Sequence, residues 1–311
     1  MNKLRIKMKT KLVILFSGLM LLSCNDTQNP FAIGGETHRR GDIHIYIEES
    51  FKPLFKTSIY TFESQCPKAK IKDHYCTEQD AINAFLNKKT KTIFISRDFT
   101  KREKEKLKLV QVEVRSEKLA EDALALIIHP NNPDTSISVN QLKRMLTGQE
   151  NTWKTLKTKI DIVFDNQNSA NFTYLRNLTG DSPIPTNIFA VKSNEEVINY
   201  VKTHPNAIGI IGSNWISDED DVEVLDFLNG IKVMQVSKED SKDYFKPYQA
   251  YIYTKEYPLT RELWSINKGG RNGLNSGFVN FIIGEKGQLI IQKSGLVPAH
   301  SQIRMMQIKV E

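Results

Sequence analysis

The chain has 311 residues, of which 40% are hydrophobic and 25% are charged, and its formal net charge is +7. This composition provides a sizeable core and excludes a disordered chain, and the length favours about two domains of ordinary size. The positive excess permits nucleic acid, an acidic surface or an anionic ligand as a partner, although a solvated lysine-rich surface explains it equally well.

The N-terminus has the pattern of a secretory signal. Five basic residues precede an apolar run from Leu12 to Leu22 that is too short to span a bilayer comfortably. The run ends in Leu21-Leu22-Ser23-Cys24, which resembles a bacterial lipobox. We therefore predict a signal peptide over residues 1–23, lipidation of Cys24, a flexible tether over 24–41, and a location on the periplasmic or cell-surface side of a bacterial membrane. A retained signal anchor is the alternative.

Export also affects the two remaining cysteines. Cys66 and Cys76 are ten positions apart, and the compartment outside the cytoplasm permits disulfides. They are therefore a candidate disulfide, and the distance between their Cα atoms decides whether the bond can form.

From residue 42 onward, short apolar runs rich in β-branched residues alternate with amphipathic stretches. This pattern predicts an α/β fold with largely parallel sheets. Strands are predicted at residues 43–47, 69–75, 92–96, 109–114, 123–128, 160–164, 207–211 and 248–253. Helices are predicted to begin near residues 51, 77, 100, 138, 170, 193 and 277.

The residues that usually carry catalysis or bind metals are scattered. The six histidines show no metal-ligand spacing, and the chain has neither a nucleophile motif nor a glycine-rich phosphate loop after a strand. We therefore predict no enzyme activity, no catalytic residue, no metal and no cofactor.

Three strand-to-helix turns carry small or polar residues at the start of a helix. They contain Ser50 and Phe51, Ser96 and Arg97, and residues 168–171. Helix N-termini present unpaired N–H groups and a partial positive charge, and ligands of open α/β sheets bind at the carboxyl ends of the strands. Each turn alone is explained by helix capping. Together they indicate an oxyanion site.

Several segments then give a resemblance to a known family. The C-terminal segments Gly277–Ile282, Glu285–Gln288 and Lys293–Pro298 resemble the closing part of the phosphate-binding proteins of bacterial phosphate ABC importers. Five earlier segments occur in that family's order: Ser96–Thr100, His129–Pro133, Asn168–Asn171, Ala207–Gly212 and Tyr257–Arg261. The resemblance spans about residues 42–300.

The resemblance implies a two-lobed periplasmic-binding-protein fold of type II. The first lobe would comprise residues 42–125, the second 126–247, and a return segment 248–311 would complete the first. The expected partners are phosphate or a related oxyanion and ABC permease subunits, with no nucleic acid, and the protein is expected to be a monomer. The implied ligand contacts come from Ser50, Phe51 and Ser96 in one lobe and from Asn168, Ser169, Ala170 and Asn171 in the other.

Two positions depart from the family pattern. Asp165 stands where the family usually has an arginine. Arg97 stands where the phosphate-binding proteins have an aspartate directly after the serine of the first lobe. One hypothesis is that these two residues have exchanged roles between the lobes. Arg97 would then bind the anion, and Asp165 would accept a hydrogen bond from a protonated oxygen of the anion. Alternatively, both residues form surface or interlobe salt bridges. The departure at Asp165 also favours a second function, a cell-envelope scaffold or interaction protein that has lost phosphate binding.

Overall fold

The computed structural model describes residues 35–180, 182–217, 222–239, 241–270 and 272–301. Its main sheet has two halves. The first contains β1 (Arg40–Glu48), β2 (Lys68–Cys76), β3 (Thr92–Ile95) and β12 (Thr260–Lys268), and the second contains β6 (Asp161–Phe164), β7 (Ile188–Ala190) and β8 (Ala207–Gly212). The long strand β4 (Val114–Ile128) joins them in the order β2-β1-β3-β12-β4-β8-β6-β7.

Pairing along β4 explains how one strand serves both halves. Nine of its first ten residues pair antiparallel with β12, with a register shift at Leu119, and its last five pair antiparallel with β8. Strands β1, β2 and β3 are parallel to each other, as are β6, β7 and β8. The short strands β9 (Lys232–Val233) and β13 (Val297–Pro298) also pair with β4, whereas β5 (Ser136–Ser138), β10 (Gln235–Ser237) and β11 (Tyr244–Phe245) form a separate small sheet.

Helices cover both faces of the sheet. They are α1 (Lys52–Gln65), α2 (Glu78–Leu86), α3 (Lys101–Leu109), α4 (Val139–Leu146), α5 (Ala170–Thr179), α6 (Asn194–Thr203), α7 (Val222–Leu228), α8 (Gln249–Tyr253), α9 (Leu274–Ile283) and α10 (Glu285–Lys293). The hydroxyls of Thr77, Thr100, Ser138, Ser169 and Ser193 each accept a hydrogen bond from a first-turn N–H. These caps fix where five of the predicted helices begin.

The core consists of separate apolar clusters in the two halves. In β4, residues 123–128 are fully buried, which confirms the prediction of a strand covered on both faces. Two clusters flank the second half, and two more pack against the first half. Each half therefore has its own hydrophobic support on both faces.

Two predicted strands are wrong. Residues 249–253 form helix α8, in which Ile252 N–H donates to the Tyr248 carbonyl at 3.0 Å, and only Ile252 of this helix is buried. Leu109 ends α3 rather than beginning a strand, and the chain then turns through Gln111, whose φ is 57°. Both segments contain exposed aromatic or β-branched residues, on a short helix in one case and in a turn in the other. The strand propensity of these residues was therefore misleading.

The candidate disulfide is also wrong. Cys66 and Cys76 are free thiols that lie just before and at the end of the nine-residue strand β2. Because a strand rises about 3.3 Å per residue, the two Cα atoms are far beyond the roughly 4–7 Å that a disulfide spans. Burial raises the pKa of the Cys76 thiol to about 12.

The predicted signal peptide, Cys24 and most of the tether lie outside the described residues. Within the described residues, every helix is too short or too polar to cross a bilayer. The lobe boundaries near residues 125 and 247 stay predictions.

The first testable prediction concerns the packing of α6 on β8. A Cβ added at Gly209 would lie 2.8 Å from side-chain atoms of Ile127, Val197 and Val201. We expect Gly209→Ala to lower the free energy of unfolding by about 1–3 kcal/mol, because these β-branched neighbours cannot easily move aside. Gly270→Ala is the control, since its nearest neighbouring atom is 3.9 Å from the added Cβ. Equal urea unfolding midpoints for the two variants would contradict this packing.

Candidate functional site

Arg261 of β12 is the centre of a buried polar cluster. Its Nε lies 2.8 Å and its Nη2 2.7 Å from Oδ2 of Asp122 on the paired strand β4. Its Nη1 donates to Oδ1 of Asn171 at 2.6 Å, and the guanidinium carbon lies 4.9 Å from the centroid of the Phe51 ring. Arg261 therefore contacts β4, the turn after β1 and the start of α5.

The first half of the sheet contributes the turn that follows β1. A short 3-10 turn over Glu49–Phe51 leads from Glu48 into α1. The Ser50 N–H and hydroxyl both donate to Oε1 of Glu48, at 3.3 and 2.8 Å. The Ser50 hydroxyl also lies 3.4 Å from Oδ1 of Asn171, which belongs to the other half.

The second half contributes the N-termini of α5 and α6. Ser169 caps α5 by accepting from the Phe172 N–H at 3.1 Å, and its hydroxyl donates to Oδ1 of Asp165 at 2.7 Å. Asn194, the first residue of α6, donates to Oδ2 of Asp165 at 3.4 Å and to the Glu49 carboxylate.

Asn194 also accepts two hydrogen bonds through Oδ1, from the Gly212 N–H at 3.0 Å and from the Asn171 amide at 3.3 Å. Its contact with Glu49 reaches across the two halves of the sheet. We refer to Glu48, Glu49, Ser50, Asp122, Asp165, Asn171, Asn194 and Arg261 as the Arg261 cluster.

Carboxyl groups outnumber cations in this cluster. Burial raises the pKa of Glu48 to about 8, although Arg261 opposes the shift, and burial raises the pKa of Glu49 to about 7. Burial also raises the pKa of Asp165. The raised pKa favours the protonated form of Glu48, and in that form the carboxyl group can donate a hydrogen bond. Its Oε2 is buried and has no hydrogen-bond partner among the described residues.

Several of the predicted site residues come together. Ser50, Phe51, Asp165, Ser169 and Asn171 all lie in or against the Arg261 cluster and are at most 2% exposed. Ala170 is buried beside them at the start of α5, whereas Asn168 is exposed at the rim. The turns after β1 and β6 therefore meet as predicted from the sequence.

The third predicted turn is engaged elsewhere. The Ser96 hydroxyl donates to Oε2 of Glu78 at 2.7 Å. Arg97 donates to Oε1 of Glu78 at 3.1 Å and forms a bidentate pair with Glu103 at 2.9 and 3.1 Å. The exchange between Arg97 and Asp165 stays a prediction, and it requires Arg97 to leave two carboxylate partners.

Sequence reasoning missed the residues that organise the cluster. Arg261 and Asp122 lie in strands that carry several other charged residues, and their cross-strand register places them directly opposite each other. Because Glu121 and Glu262 stand beside them in the sequence, the pattern does not show that Arg261 and Asp122 are the buried pair. Asn194 directly follows the predicted cap Ser193, so the sequence indicates a helix start there but not the contacts that Asn194 makes in the cluster.

The fold and its cluster define a class of proteins, the α/β periplasmic-binding proteins. A family model described as "PBP superfamily domain" matches residues 34–286. The chain therefore belongs to the PBP superfamily domain family.

Individual relatives agree with this assignment and indicate the branch of the family that the chain resembles. The phosphate-binding protein PstS of Borreliella burgdorferi is 23% identical over 300 residues, which cover 92% of this chain and 96% of the relative. A phosphate ABC transporter substrate-binding protein from Clostridium perfringens, solved with bound phosphate, superposes with a TM-score of 0.71 and 21% identity over 83% of this chain and 100% of that chain.

An ABC-type phosphate transport receptor from Vibrio cholerae has a TM-score of 0.62 and 19% identity over 82% of this chain and 99% of that chain. These similarities confirm the predicted periplasmic-binding-protein fold and the resemblance to phosphate-binding proteins.

The second testable prediction concerns the protonation of Glu48. Its pKa is about 8 in the folded chain against an ordinary value of 4.5, so the folded state holds this proton more tightly than the unfolded state. The resulting stabilisation is complete below pH 4.5 and is lost as the pH rises towards 8. The free energy of unfolding of the original chain should therefore fall as the pH rises over that range. We expect this fall to be smaller in Glu48→Gln, by up to about 1 kcal/mol per pH unit, because glutamine does not titrate.

Urea unfolding at pH 5, 6.5 and 8 measures this slope. Glu105→Gln, at an exposed position of α3, is the matched control and should keep the slope of the original chain. An unchanged slope in Glu48→Gln would show that Glu48 is ionised in the folded state.

Proposed function

We propose that this chain is an extracytoplasmic solute-binding protein that captures phosphate or a similar small oxyanion for an ABC importer or a sensor. One observation carries the proposal: the turns after β1 and β6, which belong to different halves of the sheet, meet at the buried guanidinium of Arg261. Relatives that are named as phosphate-binding proteins support the choice of ligand. On this proposal the chain binds its ligand and does not transform it.

The Arg261 cluster offers donors for an anion. Arg261 supplies the charge, Ser50 supplies a hydroxyl and a backbone N–H, and protonated Glu48 supplies an O–H. An incoming oxyanion oxygen would replace Oδ1 of Asn171, which now accepts from Nη1 of Arg261. Charge-assisted hydrogen bonds of this kind are strong in a site without water.

Access to this site requires the two halves of the sheet to separate. The cluster is buried, and it is crossed by the contacts from Ser50 to Asn171 and from Glu49 to Asn194. We propose that the predicted lobes, residues 42–125 with 248–311 and residues 126–247, open and close around the anion by a hinge motion.

A second candidate function is favoured by the same contacts. The cluster satisfies most of its own donors, and it contains four carboxyl groups and one guanidinium. An arrangement of this kind also suits a cell-envelope scaffold or interaction protein that keeps the fold without binding phosphate.

The third testable prediction separates the two functions by calorimetric titration with phosphate. We expect saturable binding at pH 6 that weakens by roughly tenfold or more by pH 9, because Glu48 and Glu49 lose protons while phosphate also becomes more negative, so the site and the ligand repel each other. Ser50→Ala should weaken binding by about three- to tenfold through loss of one hydroxyl donor.

Ser58→Ala is the matched control, since this hydroxyl is buried within α1, away from the cluster, and has no hydrogen-bond partner among the described residues. It should leave the affinity for phosphate unchanged. The absence of heat at every pH would overturn the transport function and favour the scaffold.

We also propose that a lipid on Cys24 holds the protein at the membrane, on the basis of the lipobox-like sequence. The fourth testable prediction is that cells fed a labelled fatty acid incorporate the label into the original chain and not into Cys24→Ala. In Cys24→Ala the protein should move from the membrane fraction to the soluble fraction. Incorporation of label into Cys24→Ala would contradict the assignment.

A further inference from the structure

A second concave site lies between α2 and α3, and none of its lining residues belongs to the Arg261 cluster. The cavity has a volume of about 380 Å³, which is in the range of small-molecule sites. Its inner wall is apolar and is formed by the buried side chains of Ile82, Phe85, Phe99 and Leu107.

The rim of this groove exposes apolar surface to water. Leu86 is 50% exposed and Val110 is 68% exposed, and both line the cavity. Exposed aliphatic surface beside an apolar cavity is unfavourable unless a ligand covers it. The groove therefore favours a ligand with an apolar part that covers this surface.

Cations are concentrated at the same rim. Lys88, Lys106 and Lys268 line the cavity, and the Lys268 ammonium lies 4.6 Å from the centroid of the Phe85 ring and donates to the Phe85 carbonyl at 2.6 Å. Burial lowers the pKa of Lys268, and the positive charges of Lys88 and Lys91 lower it further.

These lysines lack carboxylate partners. No ion pair to Lys88, Lys91, Lys106 or Lys268 occurs within the described residues, and Glu103, the one acidic residue that lines the groove, is held by Arg97. On the neighbouring surface, by contrast, Lys104 pairs with Asp98. The groove therefore combines an apolar interior with positive charge that nothing in the described residues neutralises.

We propose that the groove between α2 and α3 binds an amphiphilic anion with a single acyl chain, such as a medium-chain fatty acid. The chain lies against Phe85, Leu86 and Val110, and the carboxylate lies between Lys88 and Lys268. Burial of the acyl chain covers the apolar wall, and the carboxylate pairs with the lysines at the rim.

The test is calorimetric titration of the full chain with laurate below its micellar concentration. We expect saturable binding of one laurate, and no comparable binding of dodecyltrimethylammonium, which has the same chain but the opposite charge, or of butyrate, which lacks the chain. Lys268→Met should weaken laurate binding by about tenfold, the effect of losing one charged contact. Lys232→Met, at an exposed lysine of β9, should not change it.

A matched pair of variants at Val110 keeps the test independent of folding, because this side chain is mostly exposed. Val110→Glu places a negative charge at the rim and should weaken laurate binding, whereas Val110→Lys should retain or strengthen it. Thermal unfolding confirms that both variants fold. Phosphate titration of the same variants should match the original chain, which separates this proposal from the function of the Arg261 cluster.

Three results would overturn the proposal. They are equal laurate affinity in Val110→Glu and Val110→Lys, equal binding of the cationic amphiphile, and absence of laurate binding. If laurate fails to bind while anionic vesicles bind the original chain and not Val110→Glu, the surface is a membrane contact instead.

Discussion

The buried ion pair between Arg261 and Asp122 is the interaction on which the arrangement of the site depends. Both side chains are almost fully removed from water, so each charge would be strongly unfavourable without the other. Removal of one partner from such a pair costs about 3–5 kcal/mol in other proteins. Because the two residues are paired across β12 and β4, the pair places a guanidinium where the turns after β1 and β6 can reach it.

The surrounding carboxyl groups change what this guanidinium can do. If Glu48, Glu49 and Asp165 were all ionised, the cluster would repel an anion. Burial raises the pKa of all three groups and so favours their protonated forms, which carry no negative charge to repel an anion. The presence of Asp165, where the resemblance leads one to expect arginine, is therefore compatible with an anion site as long as these protons remain bound.

Local patterns in the sequence predicted most of the fold. Cap residues such as Thr100 and Ser169 marked helix starts correctly, because a side-chain acceptor for first-turn N–H groups is a local requirement. The strand predicted at residues 248–253 is wrong because three tyrosines and Ile252 favour a strand by propensity, whereas the short helix that forms there is set by tertiary context. The turns of Ser50 and Ser169 were predictable for the same local reason as the caps. The pairing of Arg261 with Asp122 was not, because it depends on cross-strand register between segments that are 139 residues apart.

Strand β4 has a consequence for how the molecule responds to stress. One continuous backbone segment supplies hydrogen bonds to β12 at one end and to β8 at the other. Loss of this strand would remove hydrogen bonds from both halves at once. The chain should therefore lose its structure cooperatively, as one unit, even though its hydrophobic clusters are separate.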